Sequence, residues 1–173
     1  MRQHAVNPHA ARTDRNPIRR DAAARICFRM TSMLSAPAVN VQSLVPMAHV
    51  ADVERSIRFY TMLGFEVGDR KVHNGRTIWA WIASGPASLM LAAASEPVRP
   101  ADQSILFYLH CPDVAAMRSH LISRGVADGG AIGGSPEPIV PAVFEVAHPA
   151  YMPEGEVRVH DPDGYCLLIG QRD

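Results

Sequence analysis

Two histidines in this chain stand at matching places, His49 in "HVAD" and His110 in "HCPD", each three residues before an aspartate. Imidazole changes charge near neutral pH, so such a pair could contact a ligand, hold a metal or move a proton. They could equally be strand-end histidines bonded to backbone. A second group, "EVRVHDPDG", puts Glu156, Arg158 and His160 at alternate positions, which share a face in a strand. Turned inward, a carboxylate beside an imidazole serves acid–base chemistry or grips a cationic ligand. Turned outward, the three form a solvated hairpin edge. The third group is aromatic: Trp79 and Trp81 alternate in "TIWAWIA", with Ile78, Ala80 and Ile82 opposite. Two indoles on one face make a stacking wall for a planar or cationic ligand, or else core, or a subunit seam. Tyr108 and Tyr151 are weaker candidates of the same sort. No Ser-His-Asp spacing, phosphate loop or dinucleotide fingerprint is present.

The elements that must position these groups can be read from the flanking residues. In "LVPMAHVADVERSIRFYTMLGFEV", residues 44–50 suit a short strand that puts Val45, Met47 and His49 on one face. Asp52 caps a helix over about 53–63 whose apolar positions Val53, Ile57, Tyr60 and Leu63 recur at helical spacing, and Gly64 ends it. The stretch "ILFYLHCPDVAAMRSHLISRGV" repeats the plan, with Asp113 as cap, Val114, Met117, Leu121 and Ile122 inward, and Gly125 at the end. His49, Asp52, Val53 and Gly64 each recur 61 positions later, as His110, Asp113, Val114 and Gly125, which identifies an internal duplication. Strands follow in each half: "FEVGDRKV", "RTIWAWIAS" and "ASLMLAAA" in the first, "EVRVH" and "YCLLIG" in the second. The expectation is an α+β fold of two tandem βαβββ modules, about 43–95 and 103–171, with mostly antiparallel sheets. Residues 96–104 are the linker. Residues 127–154 carry Pro136, Pro138, Pro141, Pro149 and Pro153, too many for strands to be assigned.

Composition narrows the partners. Lys and Arg number 17 and Asp and Glu 17, so no net field draws in nucleic acid or an anionic membrane. No apolar run approaches the roughly 20 residues of a membrane helix. Cys27, Cys111 and Cys166 are widely spaced and without a CxxC, which argues against a disulfide framework or structural zinc and for the cytoplasm. Cys166 shares a strand face with Leu168 and reads as buried apolar filler. Residues 1–42 form an Arg-rich segment with seven arginines, Arg2 to Arg29, and no hydrophobic periodicity. A disordered tail, a transit peptide or a start codon upstream of the true one all fit it.

Taken in order, "HVADVERSIRFYTMLGFEV" and "DPDGY" resemble the vicinal oxygen chelate superfamily, which includes glyoxalase I, extradiol dioxygenases and fosfomycin- and bleomycin-resistance proteins. The resemblance spans about residues 43–171. It implies modules that each curl into half of a barrel around a cleft, commonly in a homodimer. It also implies a divalent metal held by four side chains, one on the first and one on the last strand of each module. In this sequence those positions fall on Val45, Met90, Phe107 (Leu106 if the register slips) and Leu168, the last where an acid ordinarily follows DPDGY. All four are apolar.

The resemblance therefore implies no metal and no cofactor. The leading expectation is a bleomycin-resistance-like protein that sequesters a small aromatic or cationic molecule. Its cleft would be lined by His49, Met47, Trp79, Trp81, Phe107, Tyr108, His110, Tyr151, Glu156, Arg158 and His160. One alternative is a glyoxalase-type lyase, isomerase or dioxygenase with a site relocated to His49, His110, Glu156 and His160. Another is a regulatory or interaction module whose cleft has become core.

Overall fold

The computed structural model describes residues 40–133 and 140–172. The Arg-rich segment and the proline cluster at 136–138 therefore lie, for the most part, outside the described residues. All the described elements fall in the unit Leu44–Asp173.

The first module runs β1 (Met47–Val50), α1 (Val53–Met62), β2 (Glu66–His73), β3 (Arg76–Ser84) and β4 (Ala87–Ala93). The second runs β5 (Leu106–Cys111), α2 (Val114–Ser123), β6 (Ala127–Asp128), β7 (Ala142–Ala147), β8 (Glu156–His160) and β9 (Cys166–Gln171). Each module makes its own sheet, ordered β1-β4-β3-β2 and β5-β9-β8-β7-β6. In both, the strand before the helix lies parallel to the module's last strand. The duplication read from the residues thus recurs in the topology.

Both helices begin as their caps require. The Asp52 carboxylate accepts the Arg55 amide at 3.0 Å and Asp113 that of Ala116 at 2.8 Å. Both end before a glycine in the left-handed region, Gly64 (φ 88°) and Gly125 (φ 90°). Val53, Ile57, Tyr60 and Leu63 are buried as their spacing demands, and so are Val114 and Leu121. Met117 and Ile122 pack at the rim of the core.

Period-two alternation gives each sheet one face turned to its helix and one turned away. Ala48, Ala80, Ile82 and Leu91 form the helix side in the first module, and Val143, Val157, Val159, Leu167 and Ile169 in the second. The part assigned no strands contains β7. It begins immediately after Pro141, where the prolines give way to "AVFEVA", and pairs antiparallel with β8. β6 and β7 therefore overturn the expectation that 127–154 carries no strands, because proline density hid them.

The two modules are bolted together by the turn between β8 and β9. Asp161 and Asp163 of this DPDG turn are 0% and 1% exposed, unlike the acids of an ordinary hairpin. Asp163 reaches into the first module. It accepts the Ala51 amide at 3.0 Å, the Arg55 Nη2 at 2.7 Å and the Ser56 hydroxyl at 3.1 Å. The Tyr60 hydroxyl donates to Asp161 at 3.1 Å. The Tyr165 hydroxyl donates to the His49 carbonyl and accepts its amide, each at 3.1 Å, mending the end of β1.

Candidate functional site

The faces turned away from the helices carry most of the residues suited to binding. On the first sheet the cross-strand rows are Met47–Met90–Trp81 and His49–Ala92–Trp79. Both tryptophans are half-buried and on one face, and the Lys71 ammonium lies 5.6 Å from the Trp79 ring centre. Met47 is 50% exposed. An apolar, indole-bearing surface is thus open to whatever meets it.

On the second sheet the rows are Leu106–Cys166–His160, Tyr108–Leu168–Arg158 and His110–Gly170–Glu156. Glu156 is buried, and its two oxygens are each used: Oε2 accepts the Tyr108 hydroxyl at 2.7 Å and Oε1 that of Tyr151 at 3.1 Å. The Tyr108 hydroxyl gets there by passing over Gly170, where an added Cβ would come within 2.9 Å of it. Donating to Glu156 pushes the Tyr108 phenol up to about 12. The His110 ring lies 5.3 Å from that of Tyr108, and Phe144 packs edge-on against His160 at 5.0 Å. Glu156, Arg158 and His160 do share a face, and it is neither a solvated hairpin edge nor a helix-packed core.

Phe107 and Tyr108 point to opposite sides of β5, as consecutive strand residues do, yet both border a recess of about 310 Å³ with Leu44, Pro46 and Leu167. Phe107 pairs with Leu167 on the helix side and packs against Tyr165 at 5.6 Å between ring centres. Tyr108 lies opposite Leu168 on the open face. Cys166 is not buried filler: it is half-exposed on the same face, opposite His160. The residues proposed for a relocated centre are divided, since His49 belongs to the first sheet and His110, Glu156 and His160 to the second. His49 borders a separate recess of about 540 Å³ formed with the linker residues 94–99, 102 and 103 and Tyr165.

A family metal does not fit these residues. Val45, Phe107 and Leu168 carry no donor atom, and Met90 only a soft thioether. Among the described residues no three His, Cys, Asp or Glu side chains gather as a metal site. No helix among them is long and apolar enough to cross a membrane.

The Glyoxalase/Bleomycin resistance protein/Dioxygenase superfamily description matches residues 45–167. Several solved structures share the fold at low identity. A bleomycin resistance determinant encoded on the transposon Tn5 has a TM-score of 0.59 at 19% identity, covering 77% of this chain and 99% of its own. The bleomycin-binding protein of Streptomyces verticillus, solved with copper(II)-bleomycin, has 0.57 at 20%, covering 78% and 99%. An antibiotic-binding protein from Streptomyces sp. CB03234 has 0.51 at 23%, covering 77% and 98%. No curated protein matches the chain.

Proposed function

The chain belongs to the Glyoxalase/Bleomycin resistance protein/Dioxygenase superfamily, and from that premise we propose that it sequesters a small aromatic molecule without a metal and without turnover. The observation that carries this reading is the character of the two open faces. At the positions the resemblance gives for a metal stand Val45, Met90, Phe107 and Leu168, and beside Met90 and Leu168 on the open faces stand Trp81 and Tyr108. Aromatic walls with few polar groups are what a binding cleft needs. Of the aromatic and cationic ligands the residues allow, the aromatic one is favoured. The carboxylate on the face is already taken by two tyrosine hydroxyls and has less to offer a cation.

The cleft is completed by a second copy. Each chain presents its indole-bearing face on one sheet and its tyrosine- and arginine-bearing face on the other, with Met47, Leu106 and Tyr108 between 42% and 50% exposed. Pairing two chains so that unlike faces meet buries this apolar surface and forms two equivalent clefts. Fold alone does not fix such a function, so the reading stands on these residues.

Thermal unfolding of metal-stripped protein tests it. Ni²⁺, Zn²⁺, Mn²⁺ and Fe²⁺ are expected to leave Tm unchanged, and 2-naphthoate or 2-naphthamide to raise it. At about 100 times Kd a ligand adds about 2.7 kcal/mol, a shift of several degrees in a domain of this size. The aromatic compound should be recovered chemically unchanged. A saturable rise with one of the metals, lost in Glu156→Gln or His160→Ala, would make this an enzyme with a rebuilt centre instead.

A further inference from the structure

Arg158 occupies the middle of the second sheet's open face, directly across from Leu168 and two residues from both Glu156 and His160. Its Nε–H is buried and has no hydrogen-bond partner among the described residues. No hydrogen bond or ion pair joins it to Glu156, the nearest acid along the strand, whose oxygens each accept a tyrosine hydroxyl. A buried guanidinium N–H without an acceptor is costly, the more so because the group is charged. Such a group persists at a binding face when something else supplies the acceptor. The edge of a guanidinium formed by Nε–H and one Nη–H is the fork that takes two oxygens of a planar oxyanion side by side.

We propose that Arg158 anchors an anionic group, a carboxylate or phosphate, on the aromatic molecule this cleft takes. The inference rests on the binding reading above and gives the ligand's class: an aromatic acid. Leu168 and Cys166 leave an apolar floor beside the guanidinium, which lowers the local dielectric and strengthens the charge-assisted pair. Tyr151, held by Glu156, lies near the guanidinium, and Tyr108 stands across Leu168 on the same face, as aromatic neighbours for the ligand's ring.

Calorimetric titration of the full chain with 2-naphthoate, 2-naphthyl phosphate, 2-naphthamide and 2-naphthylmethylammonium separates the possibilities. The wild type is expected to bind one of the two anions at least about tenfold more tightly than the neutral amide, the value of one charge-assisted bond. Whichever anion is preferred identifies the group. Arg158→Gln should cost the anion far more than the amide, so that the wild type's preference for the anion disappears. Arg158→Lys should recover only part, since an ammonium keeps the charge but not the fork. Equal binding of anion and amide by the wild type, or preference for the ammonium compound, overturns the anion assignment while leaving the aromatic cleft standing. Loss of anion and amide alike in Arg158→Gln overturns it too, as a structural role. So does conversion of that variant from dimer to monomer by sedimentation, which would mean that a second copy supplies the acceptor. Failure of all four compounds to bind removes the cleft reading itself, and this inference with it.

Discussion

At the scale of single residues, the least ordinary group is Asp161. It sits in the inter-module turn, fully buried, with the Asp163 and Tyr165 amides on one oxygen and the Tyr60 hydroxyl on the other. Burial raises its carboxyl to about 6, against the opposing pull of those donors. The folded chain then keeps a proton that the unfolded chain releases near the ordinary Asp value of about 3.9. The resulting stabilisation is complete below that value and is lost as pH rises through about 6. Asp161→Asn cannot titrate, so urea unfolding of both proteins isolates the effect. The wild type's advantage over the variant is expected to shrink by on the order of 2–3 kcal/mol between pH 4 and pH 7. An advantage that grows with pH would mean that the three donors outweigh burial and hold Asp161 ionised. None of this was legible in "DPDG", whose residues fit an ordinary turn equally well. The partners Ser56, Tyr60 and Asp163 are more than 100 positions apart in pairs that only the tertiary fold reveals.

At the scale of elements, regular spacing was easy to read and its interruptions were not. The helix caps, the two glycine stops, β3 and β8 followed from residue pattern, because side-chain period and local hydrogen bonding set them. β7 did not, because prolines on either side masked six strand-forming residues. Which side of β5 Phe107 takes depends on register, because a one-residue shift exchanges inside for outside. The linker contributes one contact that sequence spacing does not disclose. Gly164, at φ 88°, lies so close to the Pro100 of the linker's short 3₁₀ turn (Pro100–Asp102) that an added Cβ would stand 2.5 Å from its Cα and its carbonyl oxygen. Neither neighbour is a flexible side-chain tip. Gly164→Ala therefore combines left-handed strain with backbone collision, and a loss of about 2–4 kcal/mol in denaturant unfolding is expected. A loss below about 1 kcal/mol, the cost of the left-handed conformation alone, would mean that the linker is not seated on the turn.

At the scale of the whole molecule, the duplication that organises the sequence also divides the candidate residues between two sheets. Each module keeps an open face, and the two faces carry complementary halves: indoles and methionines on one, tyrosines, Glu156 and Arg158 on the other. If the cleft forms between copies, each contains one face from either chain, and this has a consequence that a site within one chain could not imitate. Trp81→Ala damages only the first face, and Leu168→Arg, which puts a long cation into the apolar floor, only the second. Each variant alone should lose binding of 2-naphthoate at both clefts of its dimer. In a mixed dimer, one cleft takes both damaged faces and the other takes both intact ones. Equal amounts of the two variants, unfolded together and refolded, give half mixed dimers by random pairing, so about a quarter of the clefts should bind with wild-type affinity. Calorimetry reads this as a stoichiometry near one quarter with unchanged Kd. No recovery, with both variants dimeric by sedimentation, would place the whole cleft inside a single chain and leave the exposed apolar faces to some other association.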